Sequence, residues 1–311
     1  SGLALPGMSS LMNYMQIAAT ENTIYTSPDA SKIFCYTPSI IVTPTGRLIV
    51  SFDLGGEGVK SIEGHKSSRA GGSRFGQGKI FISDDNGQQK WTFVQNFPFW
   101  HARLFTIGNS IYLIGHAGDI CIMKSEDNGE SWSDTYFLTH GEKWHSSACN
   151  VLFSNGNVYL AMEQRCRLNE VTGWDVAGLS PTLFRACVED NLCLASSWSR
   201  SEKFIYKEVF DGAKLDFFGI PFYDCETNKP KEIATGINNA PLGWLEANVV
   251  KFVDKDHIWH TDLKEVFHLF LRAHTGGVNY AHLFKIEIQD DQSMIPSLGI
   301  ILWSSCISIL K

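Results

Sequence analysis

Residues 125–132 read Ser125-Glu126-Asp127-Asn128-Gly129-Glu130-Ser131-Trp132. The stretch is a hairpin turn that carries its own fastening. Ile120-Cys121-Ile122-Met123-Lys124 before it and Thr135-Tyr136-Phe137-Leu138-Thr139 after it are short β-prone runs. Asp127 and Asn128 have side chains short enough to bond nearby backbone N–H groups, and Gly129 supplies the positive φ of a tight reversal. Ser125 can hydrogen-bond across the loop, and Trp132 folds its ring beneath the turn.

A second stretch, Ser83-Asp84-Asp85-Asn86-Gly87-Gln88-Gln89-Lys90-Trp91, has the same Ser, Asp and Gly spacing with one more residue before the Trp. It too follows an apolar run, Ile80-Phe81-Ile82. The serines of the two stretches, 83 and 125, stand 42 residues apart. That is close to the roughly 40–50 residues of one four-stranded propeller blade. A third, eroded copy runs from Glu189-Asp190-Asn191 to Ser197-Trp198, with a longer loop and Cys193 in place of the glycine.

The rest of the chain reads as strands and turns, with no helix of convincing length beyond a turn or two within 11–19. Ser39-Ile40-Ile41-Val42 and Arg47-Leu48-Ile49-Val50-Ser51-Phe52 flank Thr43-Pro44-Thr45-Gly46, a hairpin with its turn residues in place. Residues 55–78 are glycine-rich and predict a long loop, of the kind that often sits over a binding face. A second unit starts at Trp100, with runs at 102–106 and 110–114 around Gly108-Asn109. A third has runs at 148–153 and 157–162 around Ser154-Asn155-Gly156, then 182–188. Residues 199–243 form a proline-punctuated connection, and a fourth unit holds runs at 244–252, 266–272 and 280–288. The expectation is an all-β chain, a β-propeller of which about four blades are readable.

Composition agrees. The 311 residues include 20 Phe, 9 Trp, 9 Tyr and 27 Gly with only 19% charged, which suits a packed β protein with many turns. Residues 8–311 are expected to form a single domain, because each blade of a repeat protein buries its faces on its neighbours. Ser1 to Gly7 reads as a cloning remnant ahead of Met8, with a leader removed and a secreted or periplasmic protein implied. The segment 289–311 is atypical. Its apolar stretch from Met294 to Leu310, 17 residues, is short for a membrane span and predicts a buried final strand pair. Strands within 8–34 could complete a blade.

The formal charge of −7 without a Lys/Arg cluster excludes nucleic acid as the expected partner. A carbohydrate or another neutral to acidic small ligand is left open. The eight cysteines include no C-x-x-C pair and no zinc spacing, so neither a disulfide framework, a metal nor a cofactor is expected. The chain is expected to be a monomer.

These turns, together with Tyr36-Thr37-Pro38-Ser39-Ile40-Ile41-Val42, Trp100-His101-Ala102-Arg103-Leu104-Phe105 and Trp244-Leu245-Glu246-Ala247-Asn248-Val249-Val250, carry a resemblance. The chain resembles the sialidase-like, Asp-box or BNR-repeat, superfamily of six-bladed β-propellers over roughly residues 36–288. It is most similar to a branch of BNR-repeat glycosyl hydrolases from polysaccharide-degrading bacteria. The resemblance implies a carbohydrate-active enzyme with an oligosaccharide or polysaccharide substrate. One departure limits it. Where sialidases carry an Arg-Ile-Pro whose arginine grips the substrate carboxylate, this chain has Tyr36-Thr37-Pro38. A tyrosine cannot replace a bidentate arginine grip, so a simple sialoside is not the expected substrate. The acid usual in the loop after the first blade has no counterpart within 55–78.

In a propeller the inner strands converge on a central channel, and polar residues at strand ends face its mouth. Glu163 ends the run Val158-Tyr159-Leu160-Ala161-Met162, where burial would raise its pKa toward general-acid use. Its structural alternative is a salt bridge to Arg165 or Arg167. Glu246 is the expected second carboxylate, giving a pair suited to glycoside hydrolysis. Asn248 should share its face by the period of two. His145 is a further catalytic candidate, and His101, Arg103, His116 and Arg272 are expected to bind substrate. Trp244, with Trp100 and Trp144, could stack on a sugar, although Trp in β proteins is mostly core. The alternative chemistry is β-elimination from a uronate-containing glycan by a His base and a Tyr acid, as in propeller-fold polysaccharide lyases. A propeller that binds glycan or protein without catalysis is the third possibility.

Overall fold

The computed structural model describes residues 21–68, 75–145, 150–166, 179–205, 243–256, 265–274 and 279–302. They form four antiparallel sheets met in chain order, and the fold is a β-propeller of four described blades. The first blade contains β1 (Phe34–Val42), β2 (Leu48–Gly55), β3 (Ser67–Ser68), β4 (Phe75–Ser83) and β5 (Thr92–Phe97). The second contains β6 (Trp100–Ile107), β7 (Ser110–Ala117), β8 (Asp119–Ser125) and β9 (Tyr136–Phe137). In the third, β10 (Trp144–His145) and β11 (Val151–Ser154) both pair with β12 (Asn157–Arg165), followed by β13 (Leu179–Cys187) and β14 (Trp198–Arg200). The fourth is β15 (Gly243–Val250), β16 (Val266–His274), β17 (Asn279–Ile288) and β18 (Met294–Leu302). No helix among the described residues is long and apolar enough to cross a membrane.

The core lies between blades. Ile49 and Ile80 of the first blade pack with Leu104, Ile111 and Leu113 of the second. Phe105, Ile114 and Ile122 of the second pack with Val158, Leu160 and Phe184 of the third. Tyr159 and Leu183 of the third meet Phe267, Leu269 and Leu271 of the fourth. Each blade therefore needs the next to bury its faces, as the periodic runs imply.

The turn at 125–132 closes as its residues dictate. Asp127 Oδ1 accepts from Ser125 Oγ and from the Ser131 amide, both at 2.9 Å, and Ser125 Oγ accepts from the Gly129 amide at 2.9 Å. Asn128 and Gly129 take φ of 59° and 84°. At 83–91, Gly87 N donates to Ser83 Oγ at 3.0 Å, while Gln89 and Lys90 donate to Asp85 Oδ2 at 3.0 Å each. The loop before Trp198 is fastened differently, by Ser197 Oγ on Asn191 O and the Trp198 indole on Leu192 O. Arg47, on the first hairpin, binds Asp84 and Glu130 and so ties the two blades together at this end.

Two sequence expectations change. Residues 55–78 are not one loop: a 3-10 turn occupies Glu57–Ser61 and β4 begins at Phe75. Gly76 and Gly78 lie inside β4 because the Trp100 and Phe97 rings occupy the space a Cβ would need. Gly78→Ala is therefore expected to cost about 3 kcal/mol through overpacking, read as a lower denaturation midpoint at unchanged m-value. The apolar end supplies the strand β18, which completes the fourth blade, while the remainder of the expected pair, 303–310, lies outside the described residues. Residues 21–33 add no strand. Residues 8–20 and 303–311, and most of the 199–243 connection, lie outside the described residues.

Candidate functional site

The inner strand of each blade begins at the same end of the sheets, beside the end of its second strand. In three blades it is broken there by a bulge. The register shifts between Tyr36 and Ser39, between Trp100 and Arg103, and between Leu245 and Asn248. Inside each bulge one non-glycine residue takes a left-handed backbone: Thr37 at φ 49°, His101 at 52° and Glu246 at 63°. Such φ values are rare for these residue types, and bulges re-aim side chains near functional sites. In the third blade the same place is held by Trp144-His145, where β10 and β11 are separate pieces. The second-strand residues beside these points are Asp53, His116, Glu163 and Arg272.

Three imidazoles meet there. His101 Nδ1 lies 3.1 Å from His116 Nε2. The His101 and His145 rings are 5.6 Å apart, and His116 and His145 6.1 Å. Behind them stands Glu163, 1% exposed. Its Oε2 is 3.0 Å from His145 Nδ1, and its Oε1 accepts from the Ala247 amide at 2.6 Å. Burial pushes Glu163 up to about 8, against the pull of the Ala247 amide and of Arg165. Arg165 adds a charge attraction to Glu163, and Arg167 lies outside the described residues. The hydrogen-bond partners of Glu163 given by the structure are His145 and the Ala247 amide in the fourth blade's bulge.

Glu246, half-exposed, forms an ion pair with Arg272 at 2.9 Å. Arg103 is buried and donates to Pro38 O at 3.4 Å and Ala102 O at 3.2 Å. It lies under the first bulge rather than in the open mouth. Among the described residues, no group of three or more His, Cys, Asp or Glu is arranged to hold a metal ion.

The structure thus brings His101, His116, His145, Glu163, Glu246 and Arg272 to one end of the propeller, and leaves three expected residues, Arg103, Asn248 and Trp244, out of its mouth. Asn248 does not follow Glu246 into the mouth. The bulge between them breaks the period of two, and Asn248 Oδ1 accepts from the Asn150 amide at 2.9 Å, stitching the third blade to the fourth. Trp244 is no stacking platform: it is 0% exposed, its ring stacked on Phe204 at 5.4 Å. Trp100 and Trp144 are buried as well.

Asp53 was not anticipated. It is 0% exposed, and its Oδ1 accepts from the His101 amide at 3.1 Å. Burial raises its carboxyl well above the usual range, opposed by that hydrogen bond and by Arg103. The signal that would have found it is an acid interrupting an apolar run near a strand end, Ser51-Phe52-Asp53-Leu54, the pattern that marked Glu163.

At the opposite strand ends a groove of about 850 Å³ opens between Tyr112, Lys124, Trp132 and Leu194. It holds no histidine, and its Asp127 is engaged in the turn. The acid–base groups are at the other end.

No family model matches the chain. No curated protein matches it either. Among solved structures it is similar to an α-L-arabinofuranosidase from Lactobacillus brevis, at 14% identity and TM-score 0.49, over 90% of this chain and 83% of that one. It is also similar to a protein of unknown function from Dyadobacter fermentans, at 13% identity and TM-score 0.48, over 87% and 70%. The NanB sialidase from Streptococcus pneumoniae superposes at 9% identity and TM-score 0.41, over 84% of this chain and 48% of that one. Identities and superpositions this low carry no chemistry from one chain to another. The fold rests on this chain's own four blades, and its chemistry on its own side chains.

Proposed function

We propose that this chain is a carbohydrate-active enzyme of the Asp-box propeller type whose acid–base work is done by histidine, and that it cleaves a uronate-containing glycan by β-elimination. The observation that carries this reading is the cluster of three imidazoles with the buried Glu163 behind His145. With Glu163 ionised, its Oε2 accepts the His145 Nδ1 proton and leaves the Nε2 lone pair for a substrate proton. Which nitrogen carries the proton follows from that hydrogen bond. In the elimination, the base takes the proton from the carbon beside the uronate carboxyl. Those electrons form a carbon–carbon double bond, and the glycosidic C–O bond breaks as its oxygen is protonated. The His101–His116 pair beside His145 is a group able to supply that proton, and Arg272, paired with Glu246 at the same mouth, is the cation assigned to the carboxylate.

The two-carboxylate mechanism fits less well. Both oxygens of Glu163 are committed within the protein, and Glu246 is held by Arg272. One observation favours hydrolysis as a second reading: burial keeps Glu163 protonated at neutral pH, as a general acid must be.

Sialylated, neutral and uronate-containing glycans separate the readings. Turnover of the uronate glycans with absorbance of an unsaturated product is the expected result. Reducing ends without that chromophore would transfer the reaction to hydrolysis. Silence across the panel from folded protein would leave a glycan-binding propeller.

A further inference from the structure

We propose that Asp53 is a positioning residue for the histidine cluster, clasping the His101 backbone so that its imidazole reaches His116 and His145. The proposal rests on the histidine reading above and names a residue that supports it without touching substrate.

The geometry is specific. His101 is a non-glycine residue at φ 52°, a conformation that costs on the order of 1 kcal/mol and persists only where its surroundings hold it. Its amide points across the blade boundary to Asp53 Oδ1 at 3.1 Å, although 48 residues separate the two. The ladder on the other side is already out of register, because the β6–β7 pairing slips between Trp100 and Arg103. Asp53 therefore supplies the acceptor that the bulged amide would lack. From this bend the His101 ring comes to 3.1 Å from His116 and lies edge-on to His145.

The same device occurs again two blades later. Glu163, also near the end of a second strand, accepts from the Ala247 amide beside the left-handed Glu246. Two buried carboxylates thus fasten two left-handed bulges, each across a blade boundary. Burying a carboxylate is unfavourable unless it is fully engaged. Asp53 Oδ2 is buried and meets no hydrogen-bond donor among the described residues, so a gain in stability alone does not account for an acid here. Holding His101 at the mouth does.

Asp53→Ala removes the acceptor, while Asp53→Asn keeps an oxygen in its place. The readouts are the imidazole nitrogen signals in ¹H–¹⁵N spectra and the kcat and KM on the uronate glycan. Asp53→Ala is expected to displace the His101 and His116 signals and to lower kcat about 100-fold, the scale of a misplaced catalytic group, with little change in KM. Asp53→Asn is expected to keep both near wild type. A folded Asp53→Ala protein with unmoved imidazole signals would overturn the proposal. If Asp53→Ala does not fold, displaced signals in Asp53→Asn would overturn it, since the acceptor is still there. Should the unmodified protein turn over no glycan, the functional reading fails, and the imidazole spectra still decide the role of Asp53.

Discussion

Glu163→Gln is expected to remove most of the activity and, above mildly acidic pH, to make the protein more stable than its parent. Both effects come from one buried proton. Glu163 is pushed from an ordinary 4.5 up to about 8 by burial. Between those values the folded protein keeps a proton that the unfolded chain has released. The stability it contributes is fully present below about 4.5 and is lost as pH rises through about 8, by at most ~1.4 kcal/mol per pH unit. Glutamine does not titrate, so the slope disappears while its side-chain oxygen still accepts from the Ala247 amide. Chemical denaturation in one-unit steps across this window checks the point, with the two stabilities diverging as pH rises. Parallel curves would show that Glu163 does not hold its proton in the fold.

Glutamine cannot exchange a proton with His145, so the rise of kcat/KM toward about pH 8 should flatten and kcat fall by about 10²–10³. Glu163→Ala behaves differently. It strands the Ala247 amide in a buried place and is expected to be about 1–3 kcal/mol less stable than Glu163→Gln at any pH, since neither side chain titrates.

Much of this fold was legible because propeller blades are local. Each hairpin is specified by a few consecutive residues, and the Ser125, Asp127 and Gly129 fastening forms as its spacing dictates. The sequence misled where a distant ring decided the outcome. Gly76 and Gly78 look like loop residues, and only Trp100 and Phe97 explain their place in β4. The strand-end rule brought His101, His116, His145, Glu163 and Arg272 to one mouth, because every blade begins at the same end. It failed for Asn248 because alternation does not survive a bulge, and a bulge leaves no simple mark in Leu245-Glu246-Ala247-Asn248. Trp244 was misassigned because its role depends on Phe204, from a segment whose strands could not be read. The Asp53 clasp joins residues 48 apart and has no local signature beyond one acid in an apolar run.

His145→Ala is expected to give the largest loss of turnover, about 10³–10⁴ in kcat, with KM changed by a few-fold at most. The variant should fold. Without His145, Glu163 still accepts from the Ala247 amide, and burial keeps it protonated at neutral pH, so no buried charge is stranded. A loss of activity at retained stability therefore reports lost chemistry. Added imidazole, which fits the space vacated by the ring, is expected to restore part of the rate, and chromophore release under saturating glycan measures both. Glu246→Gln gives the opposing test. If two carboxylates carried the reaction, it would be as damaging as His145→Ala. In the histidine reading it only loosens the Arg272 ion pair, and kcat should fall less than about tenfold. An inactive Glu246→Gln beside an active His145→Ala would sink the elimination mechanism, because the proton would then be moving through the group that the fold leaves half-exposed.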